Sequence, residues 1–386
     1  MALRTRNAAV LAKVETTNGT FVAPSAATDG VLVENPSISF NPQNVTTDEV
    51  TGSLDGRGPI LGGMNAQVSF AVYLKGTGTA ATAPEFGDML RACGWAETIT
   101  AAAVPVAAEA CAAGGTTTTV NLGTSASAVA QAYRGMPLVL TGTVAAETFI
   151  TDYTSGKVAT VTDTLSGAPG VSTSYQIPPN VLYSPASINI PSLSMEVFMD
   201  GVRYRFKGAR GTVSFEFTAA GACKATFTFS ALYEGKADAA VPTVTYDGTR
   251  PGTFRNSHMS IARSLAALQT LSLDAGVELV FPANPNATEG FDPPDIVRRN
   301  MSGSMDPYAT LVATRDLMAA FRAGTEQIVH ARVTGGNASG TGRRVALTIP
   351  AAFYTGYAPG DANGLMTEQV QFFPRGQDSG AFLCFW

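Results

Sequence analysis

The residue types that most often carry catalysis or bind metals are scarce in this chain, which has four cysteines and two histidines among 386 residues. The cysteines form no CxxC pair, and neither His258 nor His330 stands in a nucleophile signature such as GxSxG. The alternation around His330 predicts a partly exposed position on a strand. The pattern does not exclude paired carboxylates for glycoside hydrolysis, but it singles out no pair. We therefore predict no zinc site and no enzymatic activity, and small apolar roles for Cys93, Cys111, Cys223 and Cys384.

Two glycine-containing motifs could in principle hold a ligand. Gly76, Gly78 and Ala81 match the GxGxxA pattern of dinucleotide-binding loops. The next helix is expected to open only at Pro84, too late for its N-terminus to hold a pyrophosphate there, and the preceding strand alternates instead of being continuously apolar. The stretch 361–364 (DANG) lacks the other ligands of a calcium loop and is typical of a surface turn. Neither motif indicates a cofactor, and none is predicted.

The composition favours a β-rich protein with extensively covered surfaces. Charged residues make up only 14% of the chain, against 45% hydrophobic residues and 39 glycines. Regular strand patterns disfavour the alternative, a flexible low-complexity chain, whereas surfaces buried against neighbouring subunits would explain the low charge. The net charge is −5, and no basic run is longer than Arg298-Arg299 or Arg343-Arg344. Tight nucleic-acid binding is therefore not expected, although DNA could slide along such a surface.

No segment has the pattern of a secretion signal or a membrane span. The apolar stretch that opens at Ala8 ends at Lys13, which is too short for a signal sequence. The alanine-rich stretch 101–113 is interrupted by Pro105 and Glu109. We therefore expect no contact with a membrane.

Alternation with a period of two residues is the dominant structural signal. In 67–75 the apolar residues from Val68 to Leu74 face one way. Alternating stretches flank Asp200-Gly201, which predicts a hairpin closed by a two-residue type I′ turn. With 212–218 and 224–231, four successive strands are predicted to form an antiparallel meander with one buried face.

Two helices are predicted between the strands. The first opens at Pro84, a residue suited to a first helical turn, and ends near Gly94. The second opens near Pro307 and runs to Gly324. Its expected core face carries Leu311, Leu317, Met318 and Phe321.

An internal repeat indicates two similar domains in one chain. Residues 40–55 align without a gap to residues 291–306, at an offset of 291 − 40 = 251, with five identities where chance predicts about one. The alternative is two similar turn-rich loops. Five residues of each segment are candidates for a contact loop between subunits or rings: Phe40, Pro42, Val45, Gly52 and Leu54, with Phe291, Pro293, Ile296, Gly303 and Met305.

The predicted fold is mainly β, with two tandem β-sandwich or barrel domains that each have a flanking helix. The first domain comprises residues 1–96 and 186–240, and the second comprises residues 250–386. Residues 97–185 open with an Ala/Thr-rich connector and are predicted to form a small β domain inserted into the first.

Three stretches carry a resemblance to a known family. They are AAVLAKVETTNGTFVAPSAATDGVLVEN, VSFAVYLKGTGTAATAPEFGDMLRACGWAET and SLSMEVFMDGVRYRFKGARGTVSFEF. In this order they resemble the major tail tube proteins of long-tailed bacteriophages with non-contractile tails. The resemblance covers most of the first half, and the insertion and second half are similar only in general pattern.

The resemblance implies a structural virion protein, assembled in the host cytoplasm, whose stacked rings enclose a channel for DNA during ejection. It implies strands that join edge to edge between neighbours, a loop at residues 40–65 that reaches the adjacent ring, and other tail proteins at the tube ends. Because the domain is doubled, we expect a trimeric ring with pseudo-sixfold symmetry instead of the usual hexamer. The alternatives are a baseplate or capsid-decorating protein, and a carbohydrate-binding tail fibre module, which two tryptophans support poorly.

Overall fold

The computed structural model describes residue 4 and residues 6–386, and it confirms a mainly β chain. The first strands and helix are β1 (Ala8–Val14), β2 (Gly30–Val31), β3 (Glu34–Val45), β4 (Ile60–Tyr73), α1 (Gly87–Ala92) and β5 (Trp95–Thr100). A separate six-stranded sheet follows, consisting of β6 (Val104–Ala110), β7 (Thr119–Asn121), β8 (Pro137–Gly142), β9 (Ala146–Tyr153), β10 (Val158–Val161) and β11 (Thr173–Ile177). The chain then returns to the first sheet through β12 (Asn180–Pro185), β13 (Leu193–Met199), β14 (Val202–Thr218) and β15 (Lys224–Asp238).

The second half begins after an extended segment, residues 239–251. Its first elements are β16 (Gly252–Thr253), β17 (His258–Ile261), β18 (Ser264–Leu265), β19 (Leu268–Asp274), β20 (Val277–Val280), β21 (Asp295–Arg299), β22 (Ser302–Pro307) and α2 (Leu317–Ala323). The remaining elements are β23 (Gln327–Val333), β24 (Gly335–Gly336), a 3₁₀ turn (Asn337–Ser339), β25 (Val345–Ala362), β26 (Leu365–Pro374) and β27 (Phe382–Phe385).

The hairpin at Asp200-Gly201 is confirmed, but the meander has fewer strands than predicted. Met199 pairs with Val202, and Asp200 and Gly201 have positive φ angles of 40° and 100°. The stretches predicted as separate strands at 202–206 and 212–218 are one strand, β14. Its register with β15 shifts between Arg205 and Phe206 and again between Lys207 and Arg210, where the φ of 64° at Gly208 lets the strand bend without ending.

Both helices are shorter than predicted. Helix α1 begins at Gly87, because Pro84 accepts the Gly87 amide in a preceding turn. Helix α2 begins at Leu317, capped by the Asp316 carboxylate, because Pro307 belongs to strand β22. The nine residues 308–316 between β22 and α2 are irregular, and Leu311 and Met318 are exposed instead of facing the core.

Eight strands from both halves form one continuous antiparallel sheet, in the order β3–β4–β15–β14–β19–β22–β26–β25. The halves meet where β14 pairs with β19, with Phe215 opposite Leu273. Phe227 and Phe229 of β15, Leu271 and Leu273 of β19 and Phe372 of β26 lie on one face, in a single hydrophobic core that runs through both halves. The alternating pattern of each strand produces this arrangement, because it gives every strand one apolar face.

The two groups of four strands are connected in the same order. In each group the first two strands along the chain lie side by side, and the fourth strand lies between the second and the third. The spatial order is therefore β3, β4, β15, β14 in the first group and β19, β22, β26, β25 in the second. The pairing Val45↔Ile60 in β3–β4 corresponds to Val280↔Asp295 in β20–β21, an offset of 280 − 45 = 235. A register shift follows at the same place in both, between Gln43 and Asn44 and between Glu278 and Leu279.

Candidate subunit-contact surfaces and channel face

One face of the eight-stranded sheet is exposed and carries mostly small uncharged polar side chains. The opposite face is the core, so period-two alternation places these residues on the outer surface. Ser272 and Ser304 hydrogen-bond across β19 and β22 at 2.8 Å. Other residues of this face are Ser37, Ser39, Gln67, Ser69, Thr212, Ser214, Thr226, Thr228, Thr270, Ser302, Gln369 and Gln371.

The few charges on this face give it an acidic balance. Lys224 donates to the Glu34 carboxylate at 2.7 Å, and this hydrogen bond raises the pKa of the lysine. Lys224 therefore stays charged but has an anionic partner. The acids Glu216 and Asp274 lie on the same face. A smooth, polar and mildly acidic surface offers DNA phosphates few cations to hold them.

The continuous sheet ends in two open edges. Within the described residues, β3 pairs only with β4, and residues 353–362 of β25 pair only with β26. Eight antiparallel strands place the first and the last in opposite directions, so β25 of one molecule could continue the ladder with β3 of another. Pro36, Pro42 and Pro359 each remove a backbone donor from these edges, which limits indiscriminate pairing.

Residues 40–64, the distal part of the β3–β4 hairpin with its loop of residues 46–59, project from the sheet and are called the first arm. Val50 and Leu54 at its tip are fully exposed, and Ile60 and Leu61 are 59% and 64% exposed. Apolar side chains on an extended, uncovered segment are characteristic of a contact surface. At the base of the arm, Phe40 is partly covered by the ring of Tyr233, with ring centroids 5.4 Å apart.

The equivalent segment of the second half, strands β20 and β21 with the loop of residues 281–294, is called the second arm. This arm lies on the first half of the same chain. Asp295 binds Arg210 at 2.8 Å, the Glu289 carboxylate accepts the Met64 amide at 2.7 Å, and Arg299 donates to the Gly94 carbonyl at 2.8 Å.

The structure separates the candidate contact residues that the repeat had aligned. Phe40, Pro42, Val45, Gly52 and Leu54 all lie on the first arm. Of their predicted counterparts, Phe291, Pro293 and Ile296 lie on the second arm, but Gly303 and Met305 lie in β22, in the middle of the sheet. Met305 is only 2% exposed, so it leaves no surface for a neighbouring subunit.

The alignment at offset 251 is therefore wrong in register, and the shared pairing pattern gives 235. At that offset, residues 34–73 share six identities with residues 269–308: Ser37/Ser272, Val45/Val280, Pro59/Pro294, Asn65/Asn300, Ser69/Ser304 and Tyr73/Tyr308. The earlier match arose because both windows are rich in Pro, Gly, Ser and Asp, the residues that turns require.

Sequence reasoning missed a polar contact between the inserted sheet and the second half. His258 hydrogen-bonds Asp163 at 2.7 Å, and His330 is fully buried against the Phe149 ring, contrary to its predicted partial exposure. The His330 Nδ1 lies 2.9 Å from the Thr348 hydroxyl. Burial lowers the pKa of His330 to about 3, so this imidazole is neutral at physiological pH.

Glu147 of β9 forms a second set of contacts at this interface. Its carboxylate binds Arg344 at 2.7 Å and accepts the Trp386 indole N–H at 2.9 Å, and it lies 3.6 Å from Arg332. No local pattern could reveal these partners, since they are separated from Glu147 by 185 residues or more.

The other candidate chemistries find no assembled site. All four cysteines are buried free thiols, and burial raises the pKa of Cys111 to about 11 and of Cys223 to about 12. Residue 4 and residues 6–386 contain no cluster of three or more potential metal ligands. Neither helix in this part of the chain is long and apolar enough to cross a membrane. Both tryptophans are buried, so neither forms an aromatic platform for a sugar.

The comparison with curated proteins gave no match. A comparison with family models identified one described as phage tail tube protein, which matches residues 5–372 and so includes both arms, the open-edged sheet and the inserted sheet. This chain therefore belongs to the phage tail tube protein family.

Proposed function

We propose that three copies of this chain close into a ring, and that stacked rings enclose the channel through which phage DNA leaves the capsid. Family membership makes the chain a structural component of the virion tail that assembles with itself and with other tail proteins. The proposal adds the ring symmetry, the non-contractile tail, DNA passage without tight binding, and assembly in the host cytoplasm. It assigns no enzymatic role and no cofactor.

The observation that carries this proposal is the continuous sheet of two identically connected four-strand groups. We interpret the groups as two tube domains, residues 1–96 with 186–240 and residues 250–386, with 97–185 as an insertion. The separate hydrogen bonding of residues 104–177 supports this division. Open antiparallel edges at both ends of the sheet support ring closure by β3 and β25.

The strand count favours three subunits. Three chains would give 24 strands, which at about 4.8 Å spacing form a cylinder roughly 37 Å across. Side chains projecting about 5 Å on each side would leave an opening of roughly 27 Å, enough for a DNA duplex about 20 Å wide. Two chains would leave roughly 14 Å, and six would leave more than about 60 Å.

The uncharged polar face of the sheet suits the inner wall of such a channel. Its serine, threonine and glutamine side chains interact favourably with water, and its acids repel phosphate groups. The first arm, with Val50 and Leu54 at its tip, is proposed to contact a neighbouring subunit or ring. The core faces of the two domains then point away from the channel.

Cryo-electron microscopy of tubes assembled from the purified chain tests this proposal. We expect threefold rotational symmetry with six similar sheet segments around the lumen. Sixfold symmetry of the whole chain, or assemblies in which the core face points inward, would refute it.

A further inference from the structure

The two arms differ in their environment, although they are equivalent in pairing. The second arm is docked on the first half of its own chain through Asp295, Glu289 and Arg299. The base of the first arm contacts the second arm at Gly63 and Met64, whereas Ile60 and Leu61, nearer its tip, remain more than half exposed. The contacts of the second arm therefore indicate which kind of surface the first arm binds.

The offset of 235 identifies the residues of the first arm that correspond to the docked ones. Asp295 and Ile296 of the second arm correspond to Ile60 and Leu61 of the first. In the docked arm, Ile296 lies against Gly94 at the end of α1, where an added Cβ would be 3.5 Å from its side chain. Asp295 binds Arg210 of β14.

The surface that receives the second arm also has an equivalent in the second half. Strand β14 corresponds to β25 at an offset of 143. Phe206 and Ala209 of β14 pair with β13 on the two sides of a register shift, and Ile349 and Ala352 of β25 pair with β23 on the two sides of the same kind of shift. Arg210 then corresponds to Phe353.

Gly94 likewise corresponds to Gly324. Each is a left-handed residue at the end of the helix that follows the second strand of its group, with φ of 79° and 63°.

Phe353 and Gly324 form a small apolar patch beside the open edge of β25. A Cβ added to Gly324 would be 3.5 Å from the Phe353 ring, and the Arg375 guanidinium lies over that ring at 4.0 Å. The ion pair of the intrachain contact, Arg210–Asp295, is thus replaced by an apolar pair, Phe353 and Ile60. Arg375 is paired with Glu326 at 2.9 Å, so this ion pair brings no net charge to the patch and the apolar Phe353 ring dominates it.

We infer that Ile60 and Leu61 of one subunit pack on Phe353 and Gly324 of the next subunit within the same ring. The occupant of this patch is therefore a second copy of the chain. The inference rests on the proposed ring, and it places the first arm at the lateral contact instead of between stacked rings. The apolar contact lies where β25 and β3 of neighbouring chains would meet.

A charge-pair rescue tests the inference. Ile60→Asp and Phe353→Arg are made singly and together in the full chain, so that the double variant recreates at the subunit contact the Arg210–Asp295 pair of the intrachain contact. Val129→Asp, an equally drastic change at an exposed site between β7 and β8, is the matched control. Circular dichroism and thermal melting verify that each variant folds, and sedimentation velocity measures monomers, rings and tubes.

We expect each single variant to raise the protein concentration needed for ring formation roughly tenfold or more, because an unpaired charge meets an apolar surface. The double variant should recover most of this loss, and Val129→Asp should assemble normally. Three results would overturn the inference while leaving the proposed tube intact: normal assembly of Ile60→Asp, a double variant that assembles no better than the single ones, or single variants that form rings normally but do not stack them. Failure of the wild-type chain to form rings would instead refute the proposed function.

Discussion

The contacts of Glu147 predict that one uncharged substitution weakens the attachment of the inserted sheet to the second half. The carboxylate binds Arg344 and the Trp386 indole, and Arg332 lies close by. Glu147→Gln keeps the size of the side chain and one neutral acceptor, but it leaves two guanidinium groups without an anion.

The structure sets the magnitude of this effect. A hydrogen bond to a charged group contributes about 1.5–3 kcal/mol, and a neutral one about 1 kcal/mol. Because the Glu147 side chain is 27% exposed, values at the lower end apply, and we expect a loss of about 2 kcal/mol in the free energy of unfolding. An exposed ion pair contributes about 0–1 kcal/mol, so Glu278→Gln, which removes the pair with Arg298, is the matched control.

Trp386 supplies a local probe for this measurement. In a Trp95→Phe background it is the only tryptophan, and its ring centroid lies 5.0 Å from that of Phe149 in the inserted sheet. Urea unfolding followed by tryptophan emission then reports on the interface. A change below about 0.5 kcal/mol for Glu147→Gln, or an equal loss for Glu278→Gln, would refute the reasoning.

Three further predictions follow from buried or strained positions and from the first arm. Burial lowers the pKa of His330 to about 3, so between this value and about 6.5 the unfolded chain binds a proton that the folded chain does not. The free energy of unfolding should therefore fall as the pH drops below about 6.5, and His330→Gln should make urea unfolding between pH 7 and 5 less pH-dependent. Gly208→Ala should lower the free energy of unfolding by about 2 kcal/mol, measured by heat or urea, because φ is 64° and the new Cβ would lie 2.5 Å from Pro293 of the second arm. Gly201→Ala, which has a positive φ but open space around it, should lower it less, and equal losses would contradict a stabilising contact with the second arm. Replacing residues 46–59 by Asn-Gly should leave folded subunits that form no tubes, since Val45 and Ile60 already pair; tubes of normal length in negative stain would contradict this.

Several features could be predicted from the sequence because their causes are local. Alternating residues determined which faces of β4, β15 and the second part of β14 are buried, since a strand exposes successive side chains on opposite sides. Asp200-Gly201 specified a two-residue hairpin because few residues adopt positive φ at low cost. The turn predicted at 361–364 is also confirmed, but it joins the two longest strands of the second half, β25 and β26, a connection that the sequence reasoning did not recognise.

Other features depended on partners far away in the chain, and only the tertiary structure decided them. His330 is buried because Phe149 of the inserted sheet covers it, although its own strand alternates. The register of the two halves follows from strand pairing, and turn-rich windows mimic it at the wrong offset because turns reuse the same few residue types. The exposure of Ile60 and Leu61 likewise follows from how the hairpin projects, since hydrophobicity alone would have placed both residues in a core.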